Sequence, residues 1–370
     1  MQPTKPDTLV LYDGMQTRGG AERVLLELVR HLDASACVGF VDRTLFPDAF
    51  EDGRLFDLNA HQRFDALRIA HMLYAFSTRG ADIASRFGER IYSGAYSVLA
   101  ERAGHEGRSI YYCHTPPRFL YDLRRHYESA TPMVLRPALA SLRNWLQPRF
   151  EAAVRRMDIV LANSENVRSR LRQHLGVEAR VVYPPVDTHA FRWLSDDGYF
   201  LSTARLEPLK RVDVLIRAFL RMPSQRLVVT SGGSELARLR ELARGASNIH
   251  FTGWIDDVTL SDCMGRARAT VYVPVDEDFG MSPVESMAAG KPVIGVAQGG
   301  LLETVRPGET GVLLAPDFDT EEVCRAVLDM SQRNANEMRS ACEERAAMFS
   351  RARFLERMDS ILQHPDRQPH

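Results

Sequence analysis

Short apolar runs alternate with segments of helical periodicity along most of the chain. The runs 8–12 (TLVLY) and 158–162 (DIVLA) are typical of buried strands, whereas residues 21–32 repeat apolar side chains at helical spacing. Strands that alternate with helices indicate parallel sheets with helices packed on their faces. The pattern therefore predicts an α/β protein.

The alternation continues far enough to supply two sheets. Further strands are predicted at 36–41, 109–113, 180–183, 199–203, 226–230, 249–252, 269–273, 292–296 and 311–314, and further helices at 163–175, 212–220, 234–244, 283–289 and 350–363. A polar, turn-rich stretch, 187–198, separates the two sets. We therefore expect one domain at 1–190, a second at 191–349, and a last helix and tail at 350–370 that packs back across the domain seam.

The composition excludes several classes of protein. Of 370 residues, 45% are hydrophobic and 26% charged, as in globular rather than disordered proteins. The formal net charge of −1 argues against a bulk nucleic-acid binder. Five scattered cysteines without a CxxC pair predict neither a disulfide framework nor a zinc site. With no export signal and no apolar run of about 18 residues, we expect a cytoplasmic protein.

Two doubly wound domains that face each other leave a cleft at the carboxyl ends of their strands, so ligand-binding residues are expected in the loops there. The loop after ATVYV carries Glu277 and leads to Glu285. Ser282 fits a helix N-cap, Pro283 the first helical position, and Glu285 the third residue after the cap, which predicts a capping box. Free amides at 280–284 would then bind an anion or a sugar hydroxyl, and Glu277 is either a ligand or a solvated loop acid.

The same loop has two metal interpretations. Asp276 and Asp278 match the D-x-D pattern with which some enzymes hold a divalent ion, although the match is only three residues long. Asp278-Phe279-Gly280 matches the metal motif of protein kinases. Neither a glycine-rich kinase loop nor a His-Arg-Asp loop accompanies it, so a kinase is excluded.

The loop after YFLST carries Arg205 and Lys210, which could both reach a diphosphate. The alternative is a surface turn with solvated charges. Because the chain has only three lysines, the position of Lys210 favours function.

Other loops after predicted strands also hold candidate residues. These are Gly19 and Gly20, His114, Ser231 and Gly232, and Gly253 and Trp254. A glycine pair lets a ligand approach the backbone closely, and a tryptophan can flank a base. Each position also has a structural interpretation: a loop-to-helix turn, a partly buried histidine or a packed tryptophan.

Taken in order, these segments resemble the family 4 retaining glycosyltransferases. The resemblance is carried by GGAERV, YYCHTPPRF, ANSENVRSRL, VVYPPVD, ARLEPLKRVDVLIRAF, FTGW, EDFGMSPVESMAAGKPVIG and GGLLETVRPGETGVLL. It implies the GT-B fold: two Rossmann-like domains that face each other across a cleft, the first for the acceptor and the second for the nucleotide sugar, with a C-terminal helix that returns to the first. It also implies that no metal or other cofactor is bound.

Carried over position by position, the resemblance implies two groups of site residues. The catalytic group is His114, Arg205, Lys210 and Glu277. The donor-binding group is Gly19, Gly20, Ser231, Gly232, Gly253, Trp254, Phe279, Gly280, Met281, Ser282 and Glu285. Arg205 and Lys210 would neutralise the leaving diphosphate. Glu277 would hold hydroxyls of the donor sugar, and Glu285 would bind the ribose. Pro184-Pro185 replaces the family's usual Asn-Gly.

The segment YCHTPPRFLYD is most similar to bacterial mannosyltransferases of O-antigen and exopolysaccharide synthesis. This similarity implies GDP-mannose as the donor substrate, and the family implies retention of the anomeric configuration. UDP-glucose or another UDP-hexose is the alternative donor. A nucleotide-sugar epimerase and a non-catalytic nucleotide-binding partner remain as alternative functions.

The segment 118–156 has eight arginines against three acids. Its apolar face comprises Leu135, Leu139, Leu142, Trp145 and Leu146. Such a segment fits peripheral contact with the anionic inner face of the cytoplasmic membrane, where a saccharide acceptor on polyprenyl diphosphate would lie. The alternative is an amphipathic helix packed on its own domain.

Overall fold

The computed structural model describes residues 7–17, 19–47, 50, 53–60 and 65–364. The chain divides into two compact units, Met1–Tyr183 with Arg357–His370, and Pro184–Glu356. Each unit holds a parallel sheet with helices, so the predicted α/β class is confirmed. Residues 365–370 of the expected tail lie outside the described residues.

The first unit is built on a parallel sheet. Its strands are β1 (Thr8–Tyr12), β2 (Ser35–Val38), β3 (Leu55–Asp57), β4 (Glu89–Tyr92), β5 (Arg108–Cys113), β6 (Ile159–Ala162) and β7 (Arg180–Val181). Its helices are α1 (Gly20–Leu32), α2 (Asp65–Ala75), α3 (Ala81–Ala84), α4 (Arg124–Ala130), α5 (Arg136–Arg156) and α6 (Glu165–Leu175), with 3-10 turns at Ser97–Ala100 and Met133–Leu135 and a π-helical turn at Phe76–Gly80. The strand order among the described residues is β3-β2-β1-β4-β5-β6-β7.

The second unit repeats the plan. Its strands are β8 (Tyr199–Ser202), β9 (Arg226–Thr230), β10 (Ile249–Gly253), β11 (Ala269–Val271), β12 (Val293–Val296) and β13 (Gly311–Leu314). Its helices are α7 (Val212–Leu220), α8 (Leu236–Leu242), α9 (Asp257–Arg266), α10 (Met281–Ala288), α11 (Leu301–Thr304), α12 (Thr320–Asp329), α13 (Gln332–Glu337) and α14 (Arg339–Ala347), with a 3-10 turn at Pro208–Lys210. The strand order is β10-β9-β8-β11-β12-β13.

Each unit has its own hydrophobic core. Leu9, Val10 and Leu11 of β1 are all fully buried, which shows that both faces of the first sheet are covered. In the second unit, Phe200 of β8 packs edge-on against Phe219 of α7, with ring centroids 5.8 Å apart. Strands buried on both faces read as continuous apolar runs, which is why the sequence pattern found most of them.

Strand β4 was not predicted, because charged residues occupy half of it. Arg90 is only 1% exposed, and its Nε lies 3.2 Å from the Glu101 carboxylate. The Tyr92 hydroxyl donates to the same carboxylate oxygen at 2.5 Å. Buried charges persist when they are paired and hydrogen-bonded, so this central strand is polar in sequence yet buried.

The last helix, α15 (Arg351–Gln363), begins in the second unit and belongs to the first from Arg357 onward. There the Asp359 carboxylate lies 2.8 Å from Nε2 of His31. Arg108 donates to the carbonyl of Leu362 at 2.7 Å. No helix in the described ranges combines the length and the apolar character that a membrane span requires.

Candidate functional site

The strand order of the second sheet reverses between β8 and β11. β8 pairs with β9 on one side and with β11 on the other, so the connections leaving these strands run to opposite ends of the sheet. Such a switch point opens a crevice at the carboxyl ends of the two strands. The loop after β8 holds Lys210, and the loop after β11 holds Glu277.

The structure brings these two predicted residues into direct contact. Nζ of Lys210 donates to Oε2 of Glu277 at 2.5 Å and to the hydroxyl of Tyr272 at 3.2 Å. The Tyr272 hydroxyl donates to the same Glu277 oxygen at 3.0 Å. The Lys210 and Glu277 side chains keep 25% and 18% exposure, so a polar ligand can still reach them.

The protonation of this cluster follows from its geometry. Burial alone lowers the pKa of Lys210, but Tyr272 and Glu277 outweigh it and raise that pKa above its usual value. Burial, followed by the charge of Glu277, raises the pKa of Tyr272. At neutral pH the cluster therefore contains an ammonium and a neutral phenol, both of which can donate hydrogen bonds.

Backbone contacts fix the two loops to each other. The amide of Val275 donates to the Leu209 carbonyl at 2.7 Å. Arg211 donates from Nε to the Val273 carbonyl at 2.7 Å and from Nη2 to the Pro274 carbonyl at 3.1 Å. One main-chain bond and two bonds from the Arg211 side chain therefore hold the loops of Lys210 and Glu277 together, in addition to the contact of the pair itself.

A glycine pair, Gly299 and Gly300, packs directly against the backbone of the Glu277 loop. The Gly300 amide donates to the Glu277 carbonyl at 2.8 Å. A Cβ on Gly299 would lie 2.2 Å from that carbonyl oxygen, and a Cβ on Gly300 would lie 2.4 Å from Cα of Phe279. Only glycine fits this close backbone approach, so the motif GGLLETV positions the loop that precedes it.

The predicted capping box at Ser282 is wrong. Helix α10 begins at Met281, its N-cap is Gly280 with left-handed backbone (φ 86°), and no side chain caps it. Ser282 and Pro283 therefore lie within the first turn, where Pro283 has no amide to offer. Counted from the Gly280 N-cap, Pro283 is the third helical residue, so Glu285 lies two residues past the position of a capping-box acid; it is 5% exposed.

Other candidate residues of the second unit lie at or just after the ends of strands β8, β9 and β10. Arg205 is half-exposed, and its Nη1 lies 3.5 Å from Glu207. The amide of Ser231 donates to the Gly253 carbonyl at 2.8 Å. A Cβ on Gly232 would lie 2.4 Å from Nε1 of Trp254, so the exposed indole rests against this glycine. These second-unit residues therefore lie at the carboxyl ends of their strands.

In the first unit the switch point lies between β1 and β4. The carboxylate of Asp13, after β1, accepts from the amides of Ala95, Tyr96 and Ser97 at 2.7, 2.9 and 2.7 Å. His114, after β5, lies beside this turn, where its Nε2 is 2.8 Å from Oγ of Ser93.

Burial decides the charge of these groups. It lowers the pKa of His114 to about 4, so the imidazole is neutral at physiological pH. Burial also raises the pKa of Asp13 to about 6, although the hydrogen bonds from the three amides act in the opposite direction. Edge-on contacts with Tyr12 and Tyr112 complete the surroundings of His114, with ring centroids at 6.5 and 5.1 Å.

The glycine pair of the first unit opens α1 as predicted. Gly19 is the N-cap, with an extended backbone, and Gly20 is the first helical residue. Close by, Thr17 donates from Oγ1 to the carboxylate of Glu22, which is itself buried in the first turn.

Two family models match this chain. The model described as "Glycosyltransferase Family 4" covers residues 18–190, and "Glycosyl transferases group 1" covers residues 187–348. The chain belongs to the family 4 glycosyltransferases. The predicted family is thereby confirmed.

Curated relatives of this glycosyltransferase include D-inositol 3-phosphate glycosyltransferases. That of Mycobacterium marinum is 30% identical over 221 residues, which are 52% of this chain and 47% of the relative. That of Mycobacterium leprae is 32% identical over 181 residues, 42% of each chain. These matches span about half the length of the curated relatives or less.

Solved structures resemble the glycosyltransferase over nearly its whole length. Sucrose-phosphate synthase from Thermosynechococcus elongatus superposes with a TM-score of 0.78 at 20% identity, covering 97% of this chain and 99% of the other. Anabaena HepE in complex with UDP and glucose gives 0.76 at 17% identity, covering 96% and 99%. The predicted GT-B fold, with two Rossmann-like domains, is confirmed.

Four features of this glycosyltransferase's site escaped the sequence analysis: Asp13, Ser93, Tyr272 and the pair Gly299–Gly300. Tyr272 stands inside the run ATVYV and reads as a core residue. The pair Gly299–Gly300 begins the motif GGLLETVRPGETGVLL, and two adjacent glycines indicate a close backbone approach. Among the described residues, no three His, Cys, Asp or Glu side chains are grouped to hold a metal ion.

Proposed function

We propose that this glycosyltransferase moves a hexose from a nucleoside diphosphate sugar to a hydroxyl of a saccharide acceptor, with retention of configuration and without a bound metal. The observation that carries the proposal is the contact between Lys210 and Glu277 at the switch point of the second sheet. It supplies a fixed cation beside a fixed acid, where a ligand would meet the carboxyl ends of the strands.

The proposed chemistry needs such a cation. The bond from the anomeric carbon to the diphosphate oxygen breaks, and its electron pair stays on the diphosphate. A new bond forms from that carbon to the acceptor oxygen, whose proton leaves with the diphosphate or solvent. Lys210 would stabilise the charge that grows on the diphosphate, and removing one such donor typically costs roughly 3 kcal/mol of transition-state stabilisation.

Glu277 has two parts in this proposal. It holds the Lys210 ammonium through Oε2, together with the hydroxyl of Tyr272. It also offers a carboxylate to hydroxyls of the donor sugar. A carboxylate that accepts from sugar hydroxyls and an ammonium that faces phosphate would orient the donor from both ends.

We propose GDP-mannose as the donor, and a lipid-linked saccharide of surface polysaccharide synthesis as the acceptor. The similarity of YCHTPPRFLYD to mannosyltransferases supports this donor. The second candidate is a UDP-hexose, which is favoured by the solved HepE complexes with UDP and with UDP-glucose.

A donor screen tests the proposal. The purified protein is incubated with GDP-mannose or UDP-glucose, with and without a crude lipid-linked acceptor pool, and products are followed by mass spectrometry. We expect nucleoside diphosphate and a hexosylated acceptor from GDP-mannose. If UDP-glucose yields a hexosylated acceptor and GDP-mannose does not, the proposed donor is UDP-glucose instead. Free sugar or its epimer without acceptor would indicate an epimerase, and binding without turnover would overturn the transferase proposal.

A further inference from the structure

An apolar tip projects from the first unit between α4 and α5. It consists of Met133, Val134 and Leu135 in a 3-10 turn, with exposures of 77%, 84% and 54%. Helix α4, which leads to it, has no buried residue. Three consecutive apolar side chains at this exposure cost solvation free energy and mark an interaction surface.

Exposed arginines lie on α4 and α5, the two helices that flank this tip in the chain. Arg125 and Arg136 are exposed, and Arg136 donates to the Thr131 carbonyl at 3.1 Å rather than to an acid. Arg149 donates to the Trp145 carbonyl at 2.8 Å, and its guanidinium lies 4.3 Å from the centroid of that half-exposed indole. These three cations lie on the elements that carry and follow the tip, and their positive charge faces water.

The acids of the same segment are already paired. Asp122 contacts Arg118 at 2.7 Å, and Glu151 contacts Arg155 at 3.1 Å. Glu128 is shared by Arg143 at 2.5 Å and Arg124 at 3.2 Å. Hydrogen bonds from Arg143 and then Arg124 lower the pKa of Glu128. The negative charge therefore does not offset the arginines near the tip.

The rest of α5 does not contribute to this surface. Leu146, Phe150 and Val154 are buried in the core of the first unit, and Leu142 packs against that core. The helix face that the sequence offered for membrane contact is therefore divided: Leu142 and Leu146 serve the fold, whereas Leu135 belongs to the exposed tip.

We propose that the tip inserts into the headgroup region of an anionic lipid bilayer, with Arg125, Arg136 and Arg149 against lipid phosphates. Apolar side chains flanked by cations match the layering of such a surface, where apolar groups sink and arginines remain among the anions. A lipid-linked acceptor would then meet the protein at the membrane, and only this consequence rests on the proposed function. Lipid binding itself is measured without donor or acceptor.

Co-sedimentation with vesicles tests the insertion. We expect the full chain to bind vesicles of phosphatidylcholine mixed with phosphatidylglycerol, and to bind phosphatidylcholine vesicles far less. The triple variant Met133→Ser, Val134→Ser, Leu135→Ser should lower binding by about ten-fold or more. A control triple, Val258→Ser, Leu328→Ser, Met348→Ser, changes apolar residues of the second unit that are also more than half exposed, and it should bind like the wild type.

The charges are tested separately. The variant Arg125→Gln, Arg136→Gln, Arg149→Gln should weaken binding and flatten its salt dependence. Equal binding to neutral vesicles, or unchanged binding of the tip variant, would overturn the proposal. So would a vesicle-free dimer that the tip variant abolishes, because the tip would then be an interface between copies. Circular dichroism checks that each variant is folded.

Discussion

The two switch points of this glycosyltransferase have the same topology and opposite chemistry. In the second unit, strands β8 and β11 present an ammonium and a carboxylate to each other, both partly exposed. In the first unit, strands β1 and β4 close on a carboxylate that three backbone amides satisfy. The nearby His114 is neutral.

This difference shows that strand order sets the place of a site and that side chains set its chemistry. In the first unit, the amides of Ala95, Tyr96 and Ser97 satisfy the Asp13 carboxylate, and burial keeps His114 uncharged. In the second unit, the Lys210–Glu277 pair keeps both charges partly exposed, as the proposed diphosphate contact requires. Breaking each feature in turn should have effects of different size and kind.

The largest expected effect comes from Lys210→Met. Under the proposed function, loss of the ammonium removes a donor to the leaving diphosphate and leaves the Glu277 carboxylate to repel it. We therefore expect kcat to fall by about 100- to 1,000-fold, with a smaller loss of donor affinity. Steady-state kinetics and donor titration measure the two effects. Arg217→Met, which removes an exposed cation of α7, is the control.

A double variant separates function from support. If Lys210 only balances the charge of Glu277, Lys210→Met with Glu277→Gln should be as active as Glu277→Gln alone. If Lys210 acts on the diphosphate, the double variant should remain far slower than Glu277→Gln alone. Equal loss of kcat and donor affinity in the single variant would also contradict the proposed role.

The second effect is the pH dependence of the free energy of unfolding, and it concerns His114 in the first unit. Burial lowers the pKa of His114 to about 4, so between pH 6.5 and 4 the unfolded chain binds a proton that the native state refuses. The contribution of His114 is therefore complete above pH 6.5 and is lost as the pH falls, up to about 3 kcal/mol. Denaturant unfolding at several pH values measures it.

The buried Asp13 acts with the opposite sign in part of this range, because its pKa is raised to about 6. The comparison is therefore made between wild type and His114→Gln, which removes the histidine term and leaves Asp13 in place. The variant should lose the acid-side decline that His114 causes. His250→Gln, at an exposed position, should keep the wild-type profile, and identical profiles for all three proteins would refute the neutral, buried histidine.

A smaller change tests the amide cap itself. Asp13→Asn puts an NH₂ group where an oxygen accepts backbone amides, so at least one buried donor loses its partner. We expect a loss of about 1–3 kcal/mol in the free energy of unfolding. Asp122→Asn, which breaks an ion pair near the surface, should cost less than about 1 kcal/mol. Equal losses would show that the cap is not special.

Much of this could be predicted from the sequence, because local rules were enough. The strands 8–12, 226–230 and 311–314 have the predicted bounds. Ser164, at the start of the helix predicted at 163–175, caps α6 by accepting from the amide of Val167. Strand β4 failed, because the pairing of Arg90 with Glu101 cannot be seen in the pattern.

The site shows the same limit. The sequence placed Lys210 and Glu277 in loops after strands, but their contact joins residues 67 positions apart and depends on β8 lying beside β11. The Ser282 cap failed for a local reason. Ser-Pro fits a helix start, yet Gly280 adopts a left-handed backbone that lets the helix begin earlier.

The smallest expected effect compares the two helix starts by backbone alone. Gly280, the N-cap of α10, has φ 86° and ψ 73°, whereas Gly19, the N-cap of α1, has φ −92° and ψ −179°. An alanine is strained in the first conformation and at ease in the second, so Gly280→Ala should cost about 1–2 kcal/mol by denaturant unfolding. In Gly19→Ala the new methyl group would lie 2.7 Å from a carboxylate oxygen of Glu22, which must shift, but the backbone is unstrained, so a smaller cost than for Gly280→Ala is expected. If both variants lose the same free energy of unfolding, the left-handed backbone of Gly280 does not determine where α10 begins.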